Sequence, residues 1–139
     1  MSTFVSPSLR GSASMDLPFT PASAGAARRA LSTWLHDLGY DDGLVDDAQL
    51  VITELVANSV LHAQPLADGS LHVGWQCEGD RLLLTVRDGG GVSVPTQRVA
   101  APEALGGRGL GIVDALGTWT VETESGGSAI HVRMDLPLG

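Results

Sequence analysis

Apolar side chains recur at steps of three and four through Ala26, Ala27, Ala30, Leu31, Trp34, Leu35 and Leu38, which is the spacing of one buried helix face, and Gly39 closes the run as a cap. Upstream, Thr20-Pro21 reads as the helix start, with the threonine as cap and the proline in the first turn. The acidic turn DDGLVDD leads into a second predicted helix from Leu44 to His62, with Leu50, Val51 and Leu55 marking its core side. The period then changes from helical to alternating. SLHVGWQCE and RLLLTVRD read as strands joined antiparallel at Gly79-Asp80, a pair suited to a tight turn. Gly89 to Gly106 has no sustained period, and its roughly eighteen residues exceed an ordinary connection, which points to a lid. LGIVDALG reads as a short helix, and GTWTVETE, GGS and AIHVRMDLP as a second hairpin. Before all of this, residues 1–14 are serine-rich and without a period, as in a mobile arm, leaving residues 15–139 as one domain that opens on an extended piece from Met15 to Phe19.

Composition narrows the chemistry. A chain of 139 residues, 43% hydrophobic, can bury one core and has no room for a second full domain. Sixteen acidic residues against eight basic ones give a net charge of -8, so no broad nucleic-acid surface is expected, and any polyanion needs a local site. Every basic side chain except histidine is an arginine, and the absence of lysine excludes a P-loop, the lysine of a eukaryotic-type protein kinase and a Schiff-base lysine. Cys77 stands alone, a packed strand residue by expectation, and the four histidines lack ligand spacing, so soft-ligand metal sites are out. Neither a signal peptide nor a membrane span is evident, and the expected address is the cytoplasm with no membrane contact.

Three short segments could carry chemistry. In ELVANSVLHA, Glu54 and Asn58 are four apart on one helix and project from the same face, where they could share a ligand or simply form a solvated stripe. Asp88 ends an apolar strand and precedes Gly89, Gly90 and Gly91, as where backbone passes close to something flat, or as in a plain turn. GGRGLGIV sets Gly107, Gly109 and Gly111 around a helix start whose unpaired N–H groups attract anions, with Arg108 adding charge. It does not fit the dinucleotide fingerprint, because Ile112 stands three positions after Gly109.

In this order the segments resemble the GHKL ATP-binding superfamily of gyrase, heat-shock chaperone, histidine kinase and mismatch-repair ATPase domains, over residues 15 to 137. The compact form is most similar to bacterial anti-sigma factor serine/threonine kinases: ELVANSVLHA to their N-box, RDGGG to their adenine box, GRGLGIV to their lid-closing glycine box. The resemblance implies an α+β Bergerat fold, a two-layer sandwich with a mixed, mostly antiparallel sheet covered on one face by helices. It implies ATP and Mg2+ as cofactors, Asn58 as magnesium ligand and Glu54 as base. Asp88 would accept a hydrogen bond from the adenine amino group, supported by Ser128, and Gly90 would leave room for the ring. Gly107, Arg108, Gly109, Leu110 and Gly111 would fold over the triphosphate, countering its charge locally despite the acidic balance. His62 is similar to a family position, with packing or capping as its expected role. The sequence departs from many relatives at Val92, where a glycine is common, and at Leu61, where histidine kinases have a basic residue.

The implied function is partner switching: the kinase binds a sigma factor, phosphorylates an anti-anti-sigma (STAS-type) antagonist, and acts as a homodimer without contacting nucleic acid directly. Two other readings of the same residues are a nucleotide-sensing module without transfer and a weak ATPase.

Overall fold

The computed structural model describes residues 11–90, 111–124 and 126–136. Strand β1 (Ser12–Pro18) is followed by helices α1 (Ser23–Asp37) and α2 (Asp42–His62), then β2 (Ser70–Glu78), β3 (Arg81–Asp88), the short helix α3 (Gly111–Leu116), β4 (Thr118–Glu124) and β5 (Gly127–Asp135). The five strands form one sheet in the order β1-β2-β3-β5-β4, and each of its ladders is antiparallel. This is the expected two-layer α+β sandwich, with α1 and α2 packed side by side.

Period-two alternation builds the sheet's inner face. Met15 and Leu17, then Leu71, Val73 and Trp75, then Leu82, Leu84 and Val86, then Val132 and Met134 are all buried there. Leu31 and Leu35 of α1 and Ile52, Leu55 and Val56 of α2 close over them with no exposed surface. Trp34 and Trp75 join the layers, their rings 6.4 Å apart and inclined at 54°. The outer face is polar, tied by His72 Nδ1 to Asp16 (2.7 Å), His131 Nε2 to Glu122 (2.8 Å) and Arg133 Nε to Glu78 (3.3 Å). The bond from His131 holds the Glu122 carboxyl below its ordinary value. Half-buried Cys77 has its thiol pushed up by burial, as suits a packed strand residue and not a reactive thiolate.

Several boundaries differ from the sequence expectation. Strand β1 begins at Ser12, inside the segment read as an arm, because Ala13 and Met15 alternate into the core and every residue from Ser12 to Pro18 pairs with β2. Thr20 does not cap α1. The Ser23 and Ala24 amides donate to Thr20 O and Pro21 O in a tight lead-in turn, and the helix starts after Ala22 without a side-chain cap. At the other end Gly39 (φ 93°) is the expected stop: its N–H donates to His36 O and that of Tyr40 to Leu35 O, the two bonds of a Schellman motif. Helix α2 starts two residues early because Asp41 Oδ1 accepts from the Leu44 N–H at 3.0 Å. Leu50, expected on the core side, is 47% exposed, since Val51, Ile52 and Leu55 fill the buried stripe. Among the described residues no helix is long and apolar enough to cross a membrane.

Candidate functional site

The site lies where three apolar rows end in polar side chains. On β3 the inward row Leu82, Leu84, Val86 runs on to Asp88, so the strand's own alternation turns that carboxylate inward, where it is 6% exposed. On β5 the row Met134, Val132, Ile130 reaches Ser128, the register partner of Asp88. On α2 the stripe Ile52, Leu55 and Val56 continues after seven, four and three residues to Ser59, which is 2% exposed.

A carboxylate in such a place must be hydrogen-bonded. Ser59 Oγ donates to Asp88 Oδ2 at 2.5 Å, while Oδ1 accepts from the Gly90 amide at 2.8 Å and from Ser128 Oγ at 3.2 Å. Asp88 is thus braced by the helix, by its own turn and by the neighbouring strand. The chain after α2 adds a second tie, the Gly89 N–H donating to Gln64 O (2.7 Å) and the Gln64 N–H to Gly90 O (2.9 Å). These bonds fix the helix against the strand end.

The glycines here have different physical reasons. A Cβ on Gly89 would lie 2.1 Å from Pro65 O, and one on Gly127 would lie 2.3 Å from Asp88 O, so both are needed for close backbone approach. At Gly90 a Cβ would meet Gly127 only at an ordinary 3.7 Å, and the constraint is its φ of 87°. Gly89→Ala should therefore destabilise the fold by about 1–3 kcal/mol, since rigid backbone on both sides must move. Denaturant titration checks this, and an unchanged midpoint would mean that the approach to Pro65 is not tight.

Helix α2 also presents the two other side chains singled out by sequence. Asn58, beside Ser59, is 8% exposed, and its Oδ1 is buried with no hydrogen-bond partner. Thr53 Oγ1 and Trp75 Nε1 share that condition among the described residues, but Asn58 Oδ1 is the carbonyl-type oxygen of the three, able only to accept. An unmet buried acceptor costs about 1–3 kcal/mol, which a structure tolerates where something else meets it. Half-buried Glu54 lies four residues earlier, about 6 Å along the axis and on the same side. Gly111 opens α3, which packs on α2, and is exposed with open space around it. His62 is exposed in the last turn of α2 and is not packed. Gly91, Val92, Gly107, Arg108, Gly109 and Leu110 lie outside the described residues.

Taken together, Asp88, Gly90 and Ser128 gather at the ends of β3 and β5 and are tied through Ser59 to the turn of α2 that carries Asn58, with Glu54 one turn earlier on the helix. The family model of the histidine kinase-like ATPase domain matches residues 17–136. The chain belongs to that family. Its members are ATPase domains, so this one is an ATP-binding domain. Its fold is similar to a crystal structure of the RsbU and RsbW domains of Rv1364c from Mycobacterium tuberculosis, at 23% identity and a TM-score of 0.68. The likeness covers 91% of this chain and 33% of that one, so the chain spans about a third of its neighbour's length. No curated protein matches the sequence significantly.

Of the residues surrounding Asp88, Ser59 is the one that sequence reasoning missed. The available signal was its position: a hydroxyl standing four residues after Leu55 and seven after Ile52, where the helical stripe calls for an apolar side chain.

Proposed function

We propose that this ATPase-family domain is an anti-sigma factor serine/threonine kinase. It transfers the γ-phosphoryl group of ATP to a hydroxyl of an anti-anti-sigma antagonist of the STAS type, and controls a sigma factor by partner switching. The observation that carries the reading is the juxtaposition on α2: the unpaired Asn58 oxygen lies one residue from the Ser59–Asp88 bond and one turn from Glu54. In this reading a base-reading carboxylate, a hard-ion acceptor and a general base share one frame. The RsbW-domain fold likeness agrees with the family to which the three motifs point.

Each role follows from residue chemistry. Asp88, braced by Ser128, accepts from the purine amino group, and Gly90 shapes the turn beside it. Asn58 Oδ1 fits Mg2+, a hard cation that keeps phosphate oxygens and waters as its other ligands. The ion's other ligands would come from the nucleotide phosphates and water. When bound, the ion neutralises phosphate charge. Glu54 accepts the acceptor hydroxyl's proton as that oxygen bonds to the γ-phosphorus and the bond from phosphorus to the ADP oxygen breaks. Gly107, Arg108, Gly109, Leu110 and Gly111 close over the triphosphate, with amide donors and one guanidinium. The active form is a homodimer.

Incubating the protein with γ-labelled ATP and candidate antagonist domains tests this reading. Label on an antagonist serine or threonine supports the kinase; phosphate release without a partner indicates an ATPase, and binding without turnover a sensor. Asn58→Ala should weaken ATP binding about tenfold or more in magnesium and leave the weak magnesium-free binding unchanged. Equal losses in the two conditions would remove Asn58 from the ion.

A further inference from the structure

The Ser59 hydroxyl has one proton, and it goes to Asp88 Oδ2 at 2.5 Å. An ionised carboxylate offers about four lone-pair positions over its two oxygens. Oδ1 already accepts two bonds, from the Gly90 amide at 2.8 Å and Ser128 Oγ at 3.2 Å, and Oδ2 accepts the one from Ser59. The position left over is therefore on Oδ2, the oxygen whose direction Ser59 controls. Ser59 is 2% exposed, so no water competes for its proton and the hydroxyl has little freedom to turn elsewhere.

We propose that Ser59 is a specificity-determining positioning residue: acting through Asp88, it sets the carboxylate's rotation so that the remaining Oδ2 lone pair meets the amino group of the purine. This rests on the reading of the site as one that binds ATP through Asp88. The Ser59 bond has two consequences. With its proton committed to Asp88, the serine cannot donate to a base that carries a carbonyl oxygen in place of the amino group, so such a base faces an acceptor with no donor in reach. The bond also starts on the residue after Asn58, so one contact fixes the base-reading carboxylate relative to the helix that faces the phosphates. Ser128 alone cannot do this, because it binds the other oxygen, from the strand, at the longer distance.

The test is a set of dissociation constants for ATP and for purine riboside triphosphate, which lacks the amino group, measured on the full chain as Ser59→Ala, Ser59→Cys, Ser59→Thr and Asp88→Ala. Ser59→Ala should weaken ATP about five- to tenfold and leave purine riboside triphosphate unchanged, shrinking the preference for ATP; Ser59→Thr should restore it. Ser59→Cys keeps the volume with a weak donor and should behave like alanine, which covers the case in which Ser59→Ala does not fold. Equal weakening of both nucleotides would show a merely structural serine, and an unchanged preference would overturn the proposal. The Asp88→Ala variant separates the two levels. If it loses the preference and the Ser59 variants do not, the Ser59 role alone fails. If it keeps the preference, the reading of Asp88 fails first.

Discussion

Glu54→Ala is expected to lower phosphoryl transfer to the antagonist by about 10²–10⁴-fold, the usual worth of a positioned general base. ATP affinity should stay the same or tighten, because a carboxylate beside a polyphosphate repels it. That split separates chemistry from binding: a transition-state role lowers turnover alone, whereas a role in holding nucleotide raises the dissociation constant. Glu54 is half-buried and outside the core cluster, so the variant should keep its fold and its unfolding midpoint. Single-turnover transfer beside direct nucleotide titration decides the matter. Undiminished transfer would remove the base from Glu54, and lost binding would recast it as a binding group.

The largest effect on stability is expected one residue along the same helix. Leu55 has no exposed surface and belongs to the hydrophobic core, so Leu55→Ala should cost about 2–5 kcal/mol, the sum of lost burial and a residual cavity. For a domain whose total stability is on the order of 5–15 kcal/mol, that change approaches unfolding. Leu61→Ala is the matched control. It removes the same atoms from the same helix at a side chain that is 73% exposed, and should change stability by no more than about 0.5 kcal/mol. Urea titrations with unchanged slopes give both values. Similar costs at the two positions would mean that α2 is rotated from the orientation that sends Ser59 inward.

How much of this could be read from sequence depended on how local each cause was. Strands β2 and β3 were legible to the residue, because alternation in SLHVGWQCE and RLLLTVRD and the Gly79-Asp80 turn are written in adjacent positions. The stop of α1 at Gly39 was legible for the same reason. The start of β1 was not: Ser12 and Ser14 carry little strand signal, and their state is fixed by pairing with Gln76 and Gly74, sixty or more positions away. Leu50 misled because an apolar residue beside a buried stripe has the same letter whether covered or exposed. Around the site, Asp88, Ser128 and the α2 carboxylate and amide could be singled out by type and motif. Ser59 could not, because its role depends on which oxygen of a residue 29 positions later it touches. The reason for Gly89 was hidden too, since what it avoids is the carbonyl of Pro65 and not a neighbour in sequence.

All of these roles depend on a nucleotide occupying the surface between α2 and the end of β3. Equilibrium dialysis of the folded chain against labelled ATP with magnesium tests that most directly. The expected result is saturable binding at one site per chain, displaced by unlabelled ATP far better than by GTP and lost in Asp88→Ala. Absence of saturable uptake at millimolar ATP by protein with an intact unfolding transition, or uptake indifferent to the Asp88 change, would contradict it.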